Sequence, residues 1–284
     1  MAMAKRVKYP IGIQSFAEIR NGGFVYVDKT ELIYNLVQDC KYVFLSRPRR
    51  FGKSLLLSTI KSYFEGRREL FNGLAMESLE SEWEQYPVLS LALMRYNAAD
   101  NMSLETIVGN ALDEWESTYG KRTDTTNFSQ RFHNVIISAY EKTGRRVVIL
   151  VDEYDAPLVA HLHEESEYDR KREFLNALYV NLKECDDYIR FAMLTGVSRF
   201  SKMTVFSGLN NLDDISLDQE YAAICGITEQ ELRDNFTEGI DGLAEAFGTD
   251  REDALARLKQ NYDGYHFTYP SADIYNPFSV LSAL

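Results

Sequence analysis

Gly52, Lys53 and Ser54 follow a knot of arginines in KYVFLSRPRRFGKSLLL, residues 41–57. A glycine, an ammonium and a hydroxyl in that order suit a phosphate group. Backbone N–H groups at a helix start point at the anion, the lysine meets the outer phosphates, and the hydroxyl reaches Mg²⁺. A second group lies further along, where VVILVDEYD runs five apolar residues into Asp152 and Glu153. Carboxylates at the tip of a buried strand are costly unless they meet a cation. Asp152 is thus a candidate Mg²⁺ ligand beside Ser54, and Glu153 a candidate to orient an attacking water. The plainer alternative is a strand ending in a solvated acidic turn.

A third group comes after the apolar run 191–194, which ends in Thr195 and then GVSRFSK. Ligands of open parallel sheets sit at the carboxyl ends of strands, so Thr195 is expected beside the other two groups. There its hydroxyl can sense the outermost phosphate or the water, or simply cap the strand. Arg199 has three readings: a contact to phosphate, a finger into a neighbouring subunit, or a surface ion pair.

The loop departs from the usual GxxxxGK[ST] pattern, because Arg47 stands where the first glycine belongs. Pro48 can stiffen that turn. The candidate nucleotide contacts are Arg47, Pro48, Arg49, Arg50, Phe51, Gly52, Lys53, Ser54 and Leu55. Arg49 and Arg50 can meet phosphate, pair with acids, or touch nucleic acid. A net charge of −12 disfavours the last and argues against broad binding to nucleic acid or acidic membranes.

These groups need elements to hold them. Apolar runs over 42–45, 88–93, 147–151 and 189–194 read as buried strands. Helical stripes fall at 32–37, 54–64, 104–115, 132–140 and 174–182. Asp28 is a candidate N-cap, with Glu31 placed to reach back, and 25–27 reads as extended chain. Strands that are continuously apolar and alternate with helices indicate a mostly parallel sheet covered on both faces. After about residue 217 the pattern turns to helices over 229–247 and 251–261. The expected division is a core over 1–217 and a small helical or winged appendage over 218–284.

Three scattered cysteines among 284 residues indicate neither a disulfide framework nor a zinc site, which suits a reducing cytoplasm. No apolar run approaches membrane-spanning length. His161 and His163 form an HxH pair whose default reading is exposed polar residues rather than a metal site. The sequence stops inside the apolar segment IYNPFSVLSAL, as a chain that continues would.

With YPIGIQSF, YVDKT, RPRRFGKSLL, VDEYDAPL, TGVSRFSK, YDGYHF and YNPFSVL in order, the chain resembles the bacterial AAA-ATPase-like family. The resemblance covers nearly the whole chain, and RPRRFGKS is that family's own form of the phosphate loop. It implies an α/β P-loop NTPase sandwich with a C-terminal lid, ATP and Mg²⁺ as ligands, Lys53 and Ser54 in the Walker A role, and Asp152 and Glu153 in the Walker B role. By resemblance to related ATPases, Tyr26 and Val27 lie along the base. The family's PD-(D/E)xK nuclease-like domain would come after residue 284, and any nucleic-acid contact would come through it. No guanine-reading NKxD follows the fourth strand, so adenine is preferred. Three functions stay open: a hydrolysing ATPase, alone or as a homo-oligomer; a nucleotide-binding module that gates an attached domain without turnover; and a nucleic-acid-processing protein whose chemistry lies in sequence beyond residue 284.

Overall fold

The computed structural model describes residues 7–93, 96, 103–199, 212–262 and 264–284. Phe200, Ser201 and Lys202 of GVSRFSK and Asp263 of YDGYHF lie outside them. Five parallel strands form one sheet in the order β2-β3-β4-β1-β5: β1 Tyr42–Ser46, β2 Val88–Ala92, β3 Val147–Asp152, β4 Ile189–Gly196 and β5 Asp213–Asp214. Successive side chains of a strand point to opposite faces, and both faces here are covered. Phe44, Ile149, Ala192 and Leu194 join a core with helices α5 Leu104–Tyr119, α6 Phe128–Thr143 and α8 Glu165–Tyr179. Val43, Leu45, Val148, Leu150, Phe191 and Met193 join a second core with α1 Phe16–Gly22, α2 Thr30–Asp39 and α3 Lys53–Phe64. The result is the three-layer α/β sandwich with a parallel sheet that the alternation predicts. Short helices α4 Ala75–Leu79, α7 Ala156–Val159 and α9 Asn181–Glu184 complete this part.

The helix expected over 229–247 is two helices, α10 Glu229–Asn235 and α11 Thr237–Phe247. They break at Phe236, whose backbone (φ −124°, ψ 29°) leaves the helical region while its buried ring serves a third core. That core gathers Leu232, Ile240, Leu255 and Leu258 with α12 Arg251–Tyr262 and α13 Pro277–Ala283. Thr228 and Glu231 close a capping box at the start of α10. A two-residue antiparallel ribbon, β6 Ile227–Thr228 with β7 Ile274–Tyr275, ties its ends together. Tyr9, Val25 and Val27 pack on this third core, so the N-terminal segment reaches the C-terminal one.

The expected cap also differs. Lys29 occupies the N-cap of α2, and the Asp28 carboxylate spans two helix starts, accepting from Thr30 N at 2.8 Å and from Ala75 N at 2.8 Å. Glu31 is not part of a cap; the reach-back role falls to Glu231 in α10. Among the described residues, no helix is long and apolar enough to cross a membrane.

Candidate nucleotide site

Strand order explains why the three chemical groups meet. β4 lies between β1 and β3, in register Leu45↔Thr195 and Val151↔Leu194. Both flanking chains lean on its end: Arg47 N donates to Gly196 O at 3.1 Å, and Tyr154 N donates to Thr195 O at 2.9 Å. Asp152 is therefore carried beside the loop that leaves β1. Its Oδ2 accepts from Ser54 Oγ at 2.5 Å and its Oδ1 from Thr195 Oγ1 at 2.7 Å. Two hydroxyls thus satisfy a buried carboxylate that would otherwise be costly to desolvate.

The loop itself turns through two left-handed residues, Arg50 (φ 69°) and Gly52 (φ 93°), before α3 begins at Lys53. Glycine takes that conformation without cost, whereas arginine is strained by roughly 1–3 kcal/mol. Lys53 is buried, and its Nζ donates to the carbonyls of Arg47 at 2.9 Å and Pro48 at 3.1 Å. Burial lowers the pKa of the ammonium, with Glu153 and Asp152 pulling the other way. Glu153 is also left-handed (φ 52°), a strained setting for a residue at a strand tip. Burial raises its carboxyl pKa, while Lys53 and Arg49 oppose that shift.

A cavity of about 340 Å³ opens beside the loop. That falls toward the small end of the range for small-molecule sites, about 300–1,000 Å³. Its walls come from three stretches: 10–14 with Tyr26 and Val27, the loop from Arg49 to Leu55 with Glu153, and the segment 224–227 with Phe278 of α13. Of the expected contacts, Tyr26, Val27, Arg49, Arg50, Phe51, Gly52, Lys53, Ser54, Leu55 and Glu153 line it. Asp152 and Thr195 lie behind Ser54.

Other expected residues go elsewhere. The Arg47 guanidinium is buried against the Phe267 ring, 3.9 Å from its centroid, and donates to Ser216 O at 2.7 Å and Ser46 O at 3.0 Å. It faces the seam with the C-terminal segment, and only its carbonyl serves the loop. Pro48 likewise contributes its carbonyl. Arg199 forms an ion pair with Asp214 at 2.9 Å. His161 is buried rather than exposed, its Nε2 against the Tyr96 hydroxyl. Among the described residues, no cluster of three or more His, Cys, Asp or Glu side chains suits a metal.

Asp155 was hidden by its position. Before Ala156 and Pro157 it reads as an ordinary helix cap, and it stands at the N-cap of α7. Its fully buried carboxylate instead accepts from Val197 N at 3.1 Å and Ser198 N at 2.7 Å, holding the chain that leaves β4.

Residues 10–206 match the model of a family described as a predicted AAA-ATPase. The chain belongs to that AAA-ATPase-like family. Membership carries a nucleotide-binding, ATPase-like role at the level of the family. The chain is also 40% identical, over 277 residues, to an uncharacterized protein in the vnfD 5′ region of Azotobacter chroococcum mcd 1. The match covers 97% of this chain and 51% of that relative, so this AAA-ATPase-like chain spans about half the relative's length.

Proposed function

We propose that the chain is a Mg²⁺-dependent ATPase that works as a nucleotide-driven switch. The observation that carries this reading is Asp152, a buried carboxylate held by Ser54 and Thr195 at the mouth of a loop bearing a buried lysine. Magnesium asks for hard oxygen donors; the Ser54 hydroxyl and the Asp152 carboxylate are such donors, side by side, so these residues fit the ion. Once bound, Mg²⁺ would neutralise charge developing on the phosphates. Lys53 exchanges the Arg47 and Pro48 carbonyls for phosphate oxygens. Glu153 accepts a hydrogen bond from the attacking water. Its raised pKa eases the uptake of the water's proton. The base takes the apolar part of the cavity, beside Tyr26 and Val27.

The test is phosphate release with ATP and Mg²⁺ for the wild type, Lys53→Ala and Glu153→Gln, beside a thermal shift with ATP. Turnover by the wild type, lost in both variants while Glu153→Gln keeps the shift, is the expected outcome. No shift and no turnover in the wild type would remove the nucleotide reading.

The half-length match to the relative favours a second reading, a non-hydrolysing module that gates an attached nuclease-like or other partner domain. A thermal shift without turnover points there. In that reading any contact with nucleic acid would come through the attached domain. The unpaired Cys40, Cys185 and Cys225 suit the cytoplasm as the setting. We assign 1–217 to the ATPase core and 218–284 to its lid.

A further inference from the structure

Resting on the nucleotide reading, we infer that Arg49 is the arginine that meets the outermost phosphate, supplied by the same chain as the rest of the site. Phosphoryl transfer spreads negative charge over the transferred group, and a guanidinium that meets it accelerates the reaction. Such a group needs a free charge at the cavity mouth, near the water-orienting carboxylate, on an anchored backbone.

Four arginines are near enough to compare, and three are committed. Arg47 is buried beneath Phe267 with carbonyls on its donors. Arg50 stacks on Phe278 of α13, its guanidinium 4.1 Å from the ring centroid. Arg199 is held by Asp214, whose side chain is only 15% exposed. Arg49 is exposed and lines the cavity, as Arg50 does, but among the described residues no ring holds its guanidinium, and its charge opposes the upward shift of the Glu153 carboxyl. Among the described residues its guanidinium forms no ion pair.

Its backbone is anchored from the C-terminal segment. Asn276 Nδ2 donates to Arg49 O at 3.4 Å, while Asn276 Oδ1 caps α13 by accepting from Ser279 N at 3.2 Å. The peptide that carries Arg49 is thereby fixed to the last helix, and the side chain is left to reach into the cavity. A neighbouring copy is not required to complete the site.

The experiment is calorimetric titration of ATP and ADP, with Mg²⁺, into the wild type, Arg49→Ala and Arg49→Lys. The wild type is expected to prefer ATP. Arg49→Ala should lose ATP affinity on the order of tenfold, as when one charge-assisted hydrogen bond is removed, and keep its ADP affinity. Arg49→Lys should lose less, since it keeps the charge without the planar fork. Excess Lys53→Ala protein, which retains Arg49, should not restore ATP affinity to Arg49→Ala. Arg49→Ala with an unchanged ATP-to-ADP ratio overturns the inference and leaves the nucleotide reading standing. So does a wild type that binds both nucleotides equally. Rescue by Lys53→Ala places the arginine in trans and also overturns it. A wild type that binds neither nucleotide removes both readings together.

Discussion

At the residue scale, the centre of the site is one carboxylate with two hydroxyl partners. Thr195→Val keeps the shape of the side chain and removes the bond to Asp152 Oδ1. It should cost about 1–3 kcal/mol by leaving a buried acceptor unpartnered, read as a lower midpoint in urea. Glu153 gives a prediction with a sign. Its folded-state pKa is raised by burial, so the fold favours the protonated form and the ionised form carries a penalty. Glu153→Gln removes that penalty. The variant should melt higher than the wild type at pH 7, and its advantage should shrink as pH falls through the raised folded value and vanish below the ordinary carboxyl value of 4.5, where Glu153 is protonated in both the folded and the unfolded chain. Melting temperatures between pH 4 and pH 7 check this. Asp152 and Thr195 were legible in the sequence because each stands at the end of an apolar strand, where its chemistry needs a reason, and Lys53 and Ser54 because they open a helix just after one. The destination of Arg47 was not, because Ser216 and Phe267 come from distant parts of the chain.

At the element scale, close approach governs the turn after β4. A Cβ on Gly196 would lie 2.5 Å from the Tyr154 ring and 2.7 Å from the Asp155 carboxylate. Both neighbours are fully buried and cannot step aside. Gly196→Ala should therefore destabilise by about 1–3 kcal/mol, and phosphate release should fall because Thr195 precedes it. The seam between loop and C-terminal segment is aromatic: Phe51 meets Tyr265 and Phe267 edge-on, with centroids 4.7 Å and 5.5 Å away. Phe267→Ala uncovers the Arg47 guanidinium and should cost about 2 kcal/mol in urea unfolding. Protease sensitivity of the segment around residue 267 should rise with it. The alternation of strands and helices was readable from apolar periodicity. β5 was not, because two residues paired with Val43 and Phe44 leave no pattern of their own. The break at Phe236 was also hidden, since the apolar spacing continues on either side of it.

At the scale of the whole molecule, the cavity belongs to no single part of the chain. Gly226 N donates to Phe51 O at 3.0 Å, and Lys29 Nζ pairs with Glu231 at 2.5 Å, so both the loop and the N-terminal segment are tied to the chain beyond residue 217. Tyr221, Ile224 and Cys225 also lie in the core that contains α3. A fragment ending at residue 217 should therefore show no ATP-induced thermal shift, even where it keeps Lys53 and Asp152; the full chain under the same conditions is the control.

The place of β1 in the sheet also sets a timetable. Among the described residues β1 pairs with β4 and β5 alone, and both are made long after it. During synthesis its apolar residues wait unpaired while the whole stretch through β3 emerges from the ribosome. Pairing across so large a sequence separation is entropically slow. The nucleotide loop is thus written early and assembled late, and its apolar strand stays open to aggregation over that interval longer than a strand of a hairpin would.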